Sequence, residues 1–180
     1  MTEETTIQTR NGTLVIRRAT PDDVDALAAI GENTSAWLDS LGIDPGPPPK
    51  PLREIATDRV REGNIYLALL DGVPVGKVTL LCTPEDLARG DGELWSDRPG
   101  DACYVHGLTV HREFAGHQIG LELLHWAERE TAERGKPLVR LDCMMENPRL
   151  RRYYELADYA HCGDVHLAHR NAARYEKRVG

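Results

Sequence analysis

The stretch VHREFAGHQIGLELL, from Val110 to Leu124, places Gly116, His117 and Gly120 between an apolar strand pattern and a helical one. A strand that turns sharply into a helix leaves backbone N–H groups unpaired and pointing the same way, and glycine is the residue that tolerates such a turn. With the dipole of the following helix, this is an anion site in outline. A nucleoside-triphosphate loop would read GxxxxGK[ST], and AGHQIGLE has neither the lysine nor the hydroxyl residue. A dinucleotide fold would carry GxGxxG on an early strand with an acid about twenty residues on; here the glycines have another spacing and come late.

The elements that must hold this turn follow from periodicity and turn chemistry. TLVIRRAT (Thr13 to Thr20) reads as a first strand, and the segment after it opens a helix with Pro21 and two acids. Ile43 to Pro51 has five prolines in nine residues and is neither helix nor central strand. It reads as a stiff connector to a second helix over Leu52 to Glu62. Two apolar strands meet at Asp71-Gly72, a hairpin signal. The acidic, turn-rich TPEDLARGDGELWSDRPGD reads as an exposed loop. A strand over Ala102 to Val110 and an amphipathic helix over Ile119 to Gly135 follow. PLVRLDCM is a further strand, NPRLRRYYELA a short helix capped by Asn147, and YAHCGDVHL with AARYEKRV a closing pair of strands. Strand, turn, helix, strand is a parallel crossover, whereas the hairpin before it is antiparallel. The sheet is therefore mixed, and the class is α+β with an α/β-type element.

At 180 residues and 41% hydrophobic content, the chain suits one compact domain. No apolar run approaches membrane-spanning length, and the polar N-terminus has no apolar signal core, so a soluble cytoplasmic protein with no membrane partner is expected. A formal charge of −7 disfavours nucleic-acid binding and suits a cationic or amine-bearing small molecule. The four cysteines, Cys82, Cys103, Cys143 and Cys162, lie far apart without a CxxC pair and read as reduced and mostly buried. HCGDVHLAH suggests zinc, but on a strand His161 and His169 face opposite to Cys162 and His166, so no metal is expected.

From Tyr104 to Tyr159 the chain resembles the GNAT superfamily of acyl-CoA-dependent N-acyltransferases. Their turn reads V-x-x-x-x-R-G-x-G-I-G-x-x-L-L; here Val110, Gly116, Ile119, Gly120, Leu123 and Leu124 match, while Ala115 replaces the arginine and Gln118 the middle glycine. A second family block, N-x-x-A-x-x-x-Y-E-x-x-G-F, is met by Asn147, Tyr154, Glu155 and Tyr159, with Leu150 for the small residue and Asp158 for the glycine. WLDSLGI and the RLDC…NPRLRRYYE block also look like an actinobacterial subgroup. The resemblance implies one acyl-CoA-binding domain over residues 1–180, with a twisted, mostly antiparallel sheet, a central parallel pair and flanking helices.

The same resemblance implies acetyl-CoA as cosubstrate and transfer of its acetyl group to the amine of a small molecule, by direct attack in a ternary complex. Ala115, Gly116, His117, Gln118, Ile119 and Gly120 would cradle the diphosphate, and loss of the arginine at 115 would weaken that binding without abolishing it. Leu108, Thr109 and Val110 would pair with the pantetheine arm as strand to strand, and Asn147 would bond the coenzyme or merely cap its helix. Tyr154 stands where relatives keep a general acid. His106 aligns with a base position, and an imidazole suits that role; a histidine satisfied within the sheet is the alternative. Trp37 is a substrate-pocket wall or a core anchor. Arg149, Arg151 and Arg152 are expected to form a solvated helix face. A noncatalytic acyl-CoA sensor and a protein N-acetyltransferase remain open beside the small-molecule enzyme, and relatives often form homodimers.

Overall fold

Apolar alternation and turn residues place most of the regular elements of the computed structural model, which describes residues 4–44, 47–88, 92–98, 100–168 and 171–180. The strands are β1 (Glu4–Thr9), β2 (Gly12–Arg18), β3 (Ile65–Leu70), β4 (Val73–Leu81), β5 (Ala102–Val110), β6 (Leu138–Met144), β7 (Ala160–His166) and β8 (Asn171–Arg178). The helices are α1 (Val24–Ser40), α2 (Leu52–Glu62), α3 (Pro84–Ala88), α4 (Ile119–Glu133) and α5 (Pro148–Leu156). The strands form one eight-stranded sheet in the order β1-β2-β3-β4-β5-β6-β8-β7. The β5–β6 pair is parallel, Ala102 facing Leu138 through Tyr104 facing Arg140, as the strand–turn–helix–strand order requires. The β3–β4 hairpin is antiparallel and turns at Asp71 (φ 48°) and Gly72 (φ 83°), the left-handed pair that Asp-Gly supplies.

Two compact units make up the chain. The first comprises Met1–Thr79 and Gly107–Leu123, the second Leu80–His106 and Leu124–Gly180. In the first, Leu27 and Ile30 of α1 and Ala56 of α2 pack on Ile65 and Leu67 of β3, with Ala19 and Val24 completing the cluster. Thr20 and Asp23 form a capping box ahead of α1. Arg17 donates to both oxygens of Asp23 at 2.7 and 2.9 Å, and the Thr20 amide donates to the same carboxylate at 2.7 Å. The Arg17 hydrogen bonds hold the Asp23 carboxyl down at about 2. Lys77 on β4 is the opposite case: burial pushes its ammonium down to about 8, and its Nζ donates to the Leu27 carbonyl at 2.9 Å.

The first strand is a correction to the sequence reading. β1 precedes Thr13 and pairs antiparallel with β2, Glu4 facing Arg17. Its segment ETTIQT is polar and largely exposed because it lies at the edge of the sheet, so no apolar alternation marks it.

The second unit holds another correction. The segment expected to be an exposed loop contains α3, and its Leu94 and Trp95 are buried at 1% and 4% exposure. Residues 89–91 and 99 of that segment lie outside the described residues. The Arg140 and Arg174 guanidinium groups lie 4.9 and 5.4 Å from the Trp95 ring centre, and Tyr104 meets the same ring edge-on at 5.7 Å. Arg174 donates to the Leu94 carbonyl at 3.0 Å and pairs with Asp97. Glu176 receives Arg140 at 3.1 Å and Arg98 at 3.0 Å. Guanidinium planes stack on indole while keeping their edges for carboxylates, so Arg140 and Arg174 clamp this loop.

Cys82 and Cys103 form a disulfide, which corrects the expectation that they are reduced; Cys143 and Cys162 are free. Their separation of 21 residues carries no pairing signal, and only the meeting of the β4 end with β5 brings them together. Arg151 is corrected as well: it is partly buried, donating to the Tyr175 hydroxyl at 3.3 Å and facing Asp164 at 3.7 Å, while Arg149 and Arg152 are exposed.

Two outcomes follow. The depressed Asp23 pKa contributes stability that is complete above about pH 4 and lost as the pH falls toward 2, roughly 2 kcal/mol in all. In urea titrations Asp23→Asn should therefore be less stable by about that amount at pH 7, with the gap closing near pH 2; a gap independent of pH would contradict the pairing. Unfolded without reductant, the protein should titrate two thiols per chain, and four after reduction. Four without reduction would exclude the bridge.

Candidate functional site

In the first unit, β5 ends at Val110 and the chain makes a 3-10 turn at Arg112–Phe114 before α4 begins at Ile119. His111 donates to the Val75 carbonyl at 2.8 Å, tying the entry of the turn to β4. The Arg112 amide donates to Asn33 Oδ1 of α1 at 2.8 Å. The Arg112 guanidinium lies 3.7 Å from the centre of the Trp37 ring, so one face of this half-buried indole is covered by the turn itself. Gly76 of β4 lies close beneath: a Cβ there would meet the Thr109 carbonyl at 3.1 Å and Leu123 and Ile119 at 3.3 and 3.4 Å.

Within the turn the Ala115 amide donates to Arg112 O at 3.1 Å and the His117 amide to Phe114 O at 3.2 Å. The Glu122 amide closes the first full helical bond, to Gln118 O at 3.0 Å. Among the described residues, no carbonyl receives the amides of Gly116, Gln118, Ile119, Gly120 or Leu121. Gly116 (φ 86°) and Gln118 (φ 62°) are both left-handed, and alternation of that kind turns successive N–H groups into an anion-binding concavity. The helix that follows has fifteen residues and adds its N-terminal dipole.

The sequence-predicted residues of this region fall into two groups. Ala115, Gly116 and Gln118 are exposed, Gly120 is half-buried and Ile119 is buried under the turn. Leu108, Thr109 and Val110 are half-buried on β5, following Gly107, whose φ of 58° interrupts regular strand geometry. His117 faces back into the protein: its ring meets Phe114 at 5.8 Å, its Nδ1 is buried without a hydrogen-bond partner, and its carbonyl accepts from Asn11 Nδ2 at 3.3 Å. Sequence reasoning missed Asn11, Asn33 and Arg112. Asn33 lies 79 residues from Arg112 and Asn11 106 residues from His117, so no local spacing announced them.

The second unit carries the remaining candidates. Tyr154 of α5 is 6% exposed and is ringed by Tyr153, Tyr159 and Tyr175 at 5.7, 6.2 and 5.9 Å. Burial, with a smaller contribution from Cys143, raises its phenol pKa far above the ordinary range, so it keeps its proton. Asn147 caps α5, its Oδ1 accepting from the Leu150 amide at 3.0 Å. His106 is half-buried on β5, one residue before Gly107. Burial pushes the Cys143 thiol up to about 11. Among the described residues no three His, Cys, Asp or Glu side chains are grouped to hold a metal ion. His161 meets Asp164 at 2.7 Å and His166 meets Asn171 at 2.9 Å; His169 lies outside the described residues. No described helix is long and apolar enough to cross a membrane.

Comparison with known proteins places the chain in a family. Residues 32–159 match the model of the acetyltransferase (GNAT) family. The chain belongs to the GNAT family. Its sequence is 27% identical over 145 residues to the uncharacterised N-acetyltransferase YesJ of Bacillus subtilis (strain 168), covering 79% of each chain. A solved GNAT acetyltransferase from Listeria monocytogenes 4b F2365 superposes with a TM-score of 0.78 at 24% identity, over 97% of this chain and all (100%) of that one. RimL, a ribosomal L7/L12 alpha-N-protein acetyltransferase, superposes with a TM-score of 0.71 at 17% identity, over 99% and 96% of the two chains. The protein is thus an acetyltransferase of a family that generally uses acetyl-CoA.

Against the GNAT pattern, both departures from glycine keep the glycine conformation. Gln118 has φ 62° and Asp158, at the end of α5, has φ 65°. Each holds a left-handed backbone at a cost of roughly 1–2 kcal/mol, so the turn geometry survives although the residue type does not. Gly116, at φ 86° with open space where a Cβ would stand, should show that cost in isolation. Gly116→Ala is expected to lower unfolding free energy by about 1 kcal/mol in urea; an unchanged midpoint would mean that the turn is not left-handed there in solution.

Proposed function

We propose that the protein transfers the acetyl group of acetyl-CoA to the amine of a small molecule by direct attack in a ternary complex. The observation that carries this reading is the set of five turn amides, Gly116, Gln118, Ile119, Gly120 and Leu121, to which no described carbonyl is bonded. A diphosphate is the ligand whose charge and spread of acceptor oxygens fit such a set. The segment Ala115, Gly116, His117, Gln118, Ile119, Gly120 would hold it through backbone rather than side chains, since the His117 ring is packed on Phe114. Leu108, Thr109 and Val110 would pair with the pantetheine arm, and Asn147, whose oxygen serves the helix cap, keeps its Nδ2 to donate to the coenzyme.

Acetyl-CoA supplies an acyl thioester whose departing sulfur needs a proton. Tyr154 suits that task because burial keeps its phenol protonated throughout the working pH range. His106 would accept the proton of the attacking amine. Cysteine relay is disfavoured: Cys103 is bridged, and Cys143 and Cys162 are both shifted toward the neutral thiol by burial. The acidic balance of the chain, −7, favours an acceptor that arrives as a cation.

The test is thiol release from acetyl-CoA with a panel of small amines. Tyr154→Phe should lower kcat by about a hundredfold or more with the KM for acetyl-CoA retained. Turnover unchanged in Tyr154→Phe would remove the acid role, and coenzyme uptake without turnover on any amine would point to a sensor.

A further inference from the structure

The turn is short of positive charge. Ala115 stands where the family pattern has an arginine, Glu113 and Glu122 flank the free amides, and the Arg112 guanidinium is held over the Trp37 ring of α1. A diphosphate carries charge that five neutral amides and a helix dipole only partly offset. The missing cation has a candidate elsewhere in the same unit. The β1–β2 hairpin turns at Arg10 and Asn11, and Asn11 Nδ2 donates to the carbonyl of His117, between the two left-handed residues of the turn. Arg10, the next residue along the chain, is exposed and has no ion-pair partner among the described residues. Its Cα lies about 3.8 Å from that of Asn11, well within the reach of an arginine side chain from the turn. This hairpin precedes residues 32–159, the part of the chain that matches the family model.

We propose that the N-terminal hairpin completes the diphosphate site of this chain. Asn11 is a positioning residue that holds the His117 carbonyl so that the Gly116 and Gln118 amides face outward together. Arg10 supplies the phosphate-binding cation that Ala115 lacks. A guanidinium matches phosphate geometry with paired donors, and a hairpin tip can deliver it from outside the turn as well as a side chain within it. The hairpin itself is tied down independently of ligand: the Thr13 amide donates to Asp71 Oδ1 at 2.9 Å, and the Asp71 amide to Thr13 O at 2.9 Å.

This rests on the coenzyme reading above, and one calorimetric series separates the two. CoA and 3′-dephospho-CoA are titrated into wild type, Arg10→Ala, Asn11→Ala, Asn11→Asp and the exposed control Arg178→Ala, with melting temperature recorded for each. Expected are uptake of both ligands by wild type, a loss of about fivefold for both in Arg10→Ala, and a larger loss in Asn11→Asp than in Asn11→Ala. Arg178→Ala and the melting temperatures should stay unchanged. In turnover, Arg10→Ala should raise the KM for acetyl-CoA and leave kcat alone. Wild-type uptake with undiminished affinity in the hairpin variants would overturn the hairpin assignment alone. So would a loss confined to CoA, which would place Arg10 on the 3′-phosphate, or an equal loss in Arg178→Ala, which would reduce the effect to net charge. No uptake by wild type would overturn the coenzyme reading itself.

Discussion

Backbone N–H groups that find no carbonyl are the constraint around which this turn is arranged. At most helix starts a side-chain cap takes one or two of them; here Gly116, Gln118, Ile119, Gly120 and Leu121 have no carbonyl to receive them among the described residues. Keeping them open requires a rigid surround, and it is supplied from several distant segments. Asn33 fixes the Arg112 amide, Trp37 seats the Arg112 side chain, Val75 receives His111, and Gly76 lets the Thr109 carbonyl and the start of α4 come close. Preorganisation of donors before a ligand arrives is what makes a binding turn different from an unfinished helix end.

The chain also shows how far a family pattern can drift while its backbone holds. Gln118 and Asp158 take left-handed conformations that glycine would adopt without strain. Replacing a side-chain contact is different: Arg112 is held over Trp37, and packing cannot recreate the guanidinium absent at Ala115. A conformation can be kept by neighbouring packing, whereas a lost charge must be restored from another segment. In the second unit the same chemistry serves packing instead, with Arg140 and Arg174 closing over Trp95 and balanced by Asp97 and Glu176.

Much of this architecture is legible in the sequence, and the parts that are not share a cause. Helix α2 runs over Leu52–Glu62, the Asp71-Gly72 hairpin forms, and Asn147 caps α5 as its position before Pro148 suggests. These depend on neighbours a few residues apart. β1 escaped notice because an edge strand needs no apolar face. Leu94 and Trp95 sat among acids and glycines, and partners from the distant strands β4, β5, β6 and β8 bury them. The Cys82–Cys103 bridge and the Asn11, Asn33 and Arg112 anchors join segments whose separation has no periodic signature. At the turn, residue types marked the unpaired amides, but not which groups hold the turn in shape.

Amide NMR reads the five open amides of the turn one by one. On addition of CoA to the ¹⁵N-labelled protein, the N–H signals of Gly116, Gln118, Ile119, Gly120 and Leu121 should move downfield as they gain charged acceptors, and more than those of Ala115 and His117, which already donate to carbonyls. Signals that stay in place while CoA saturates the protein, or that move elsewhere in the chain instead, would contradict the account.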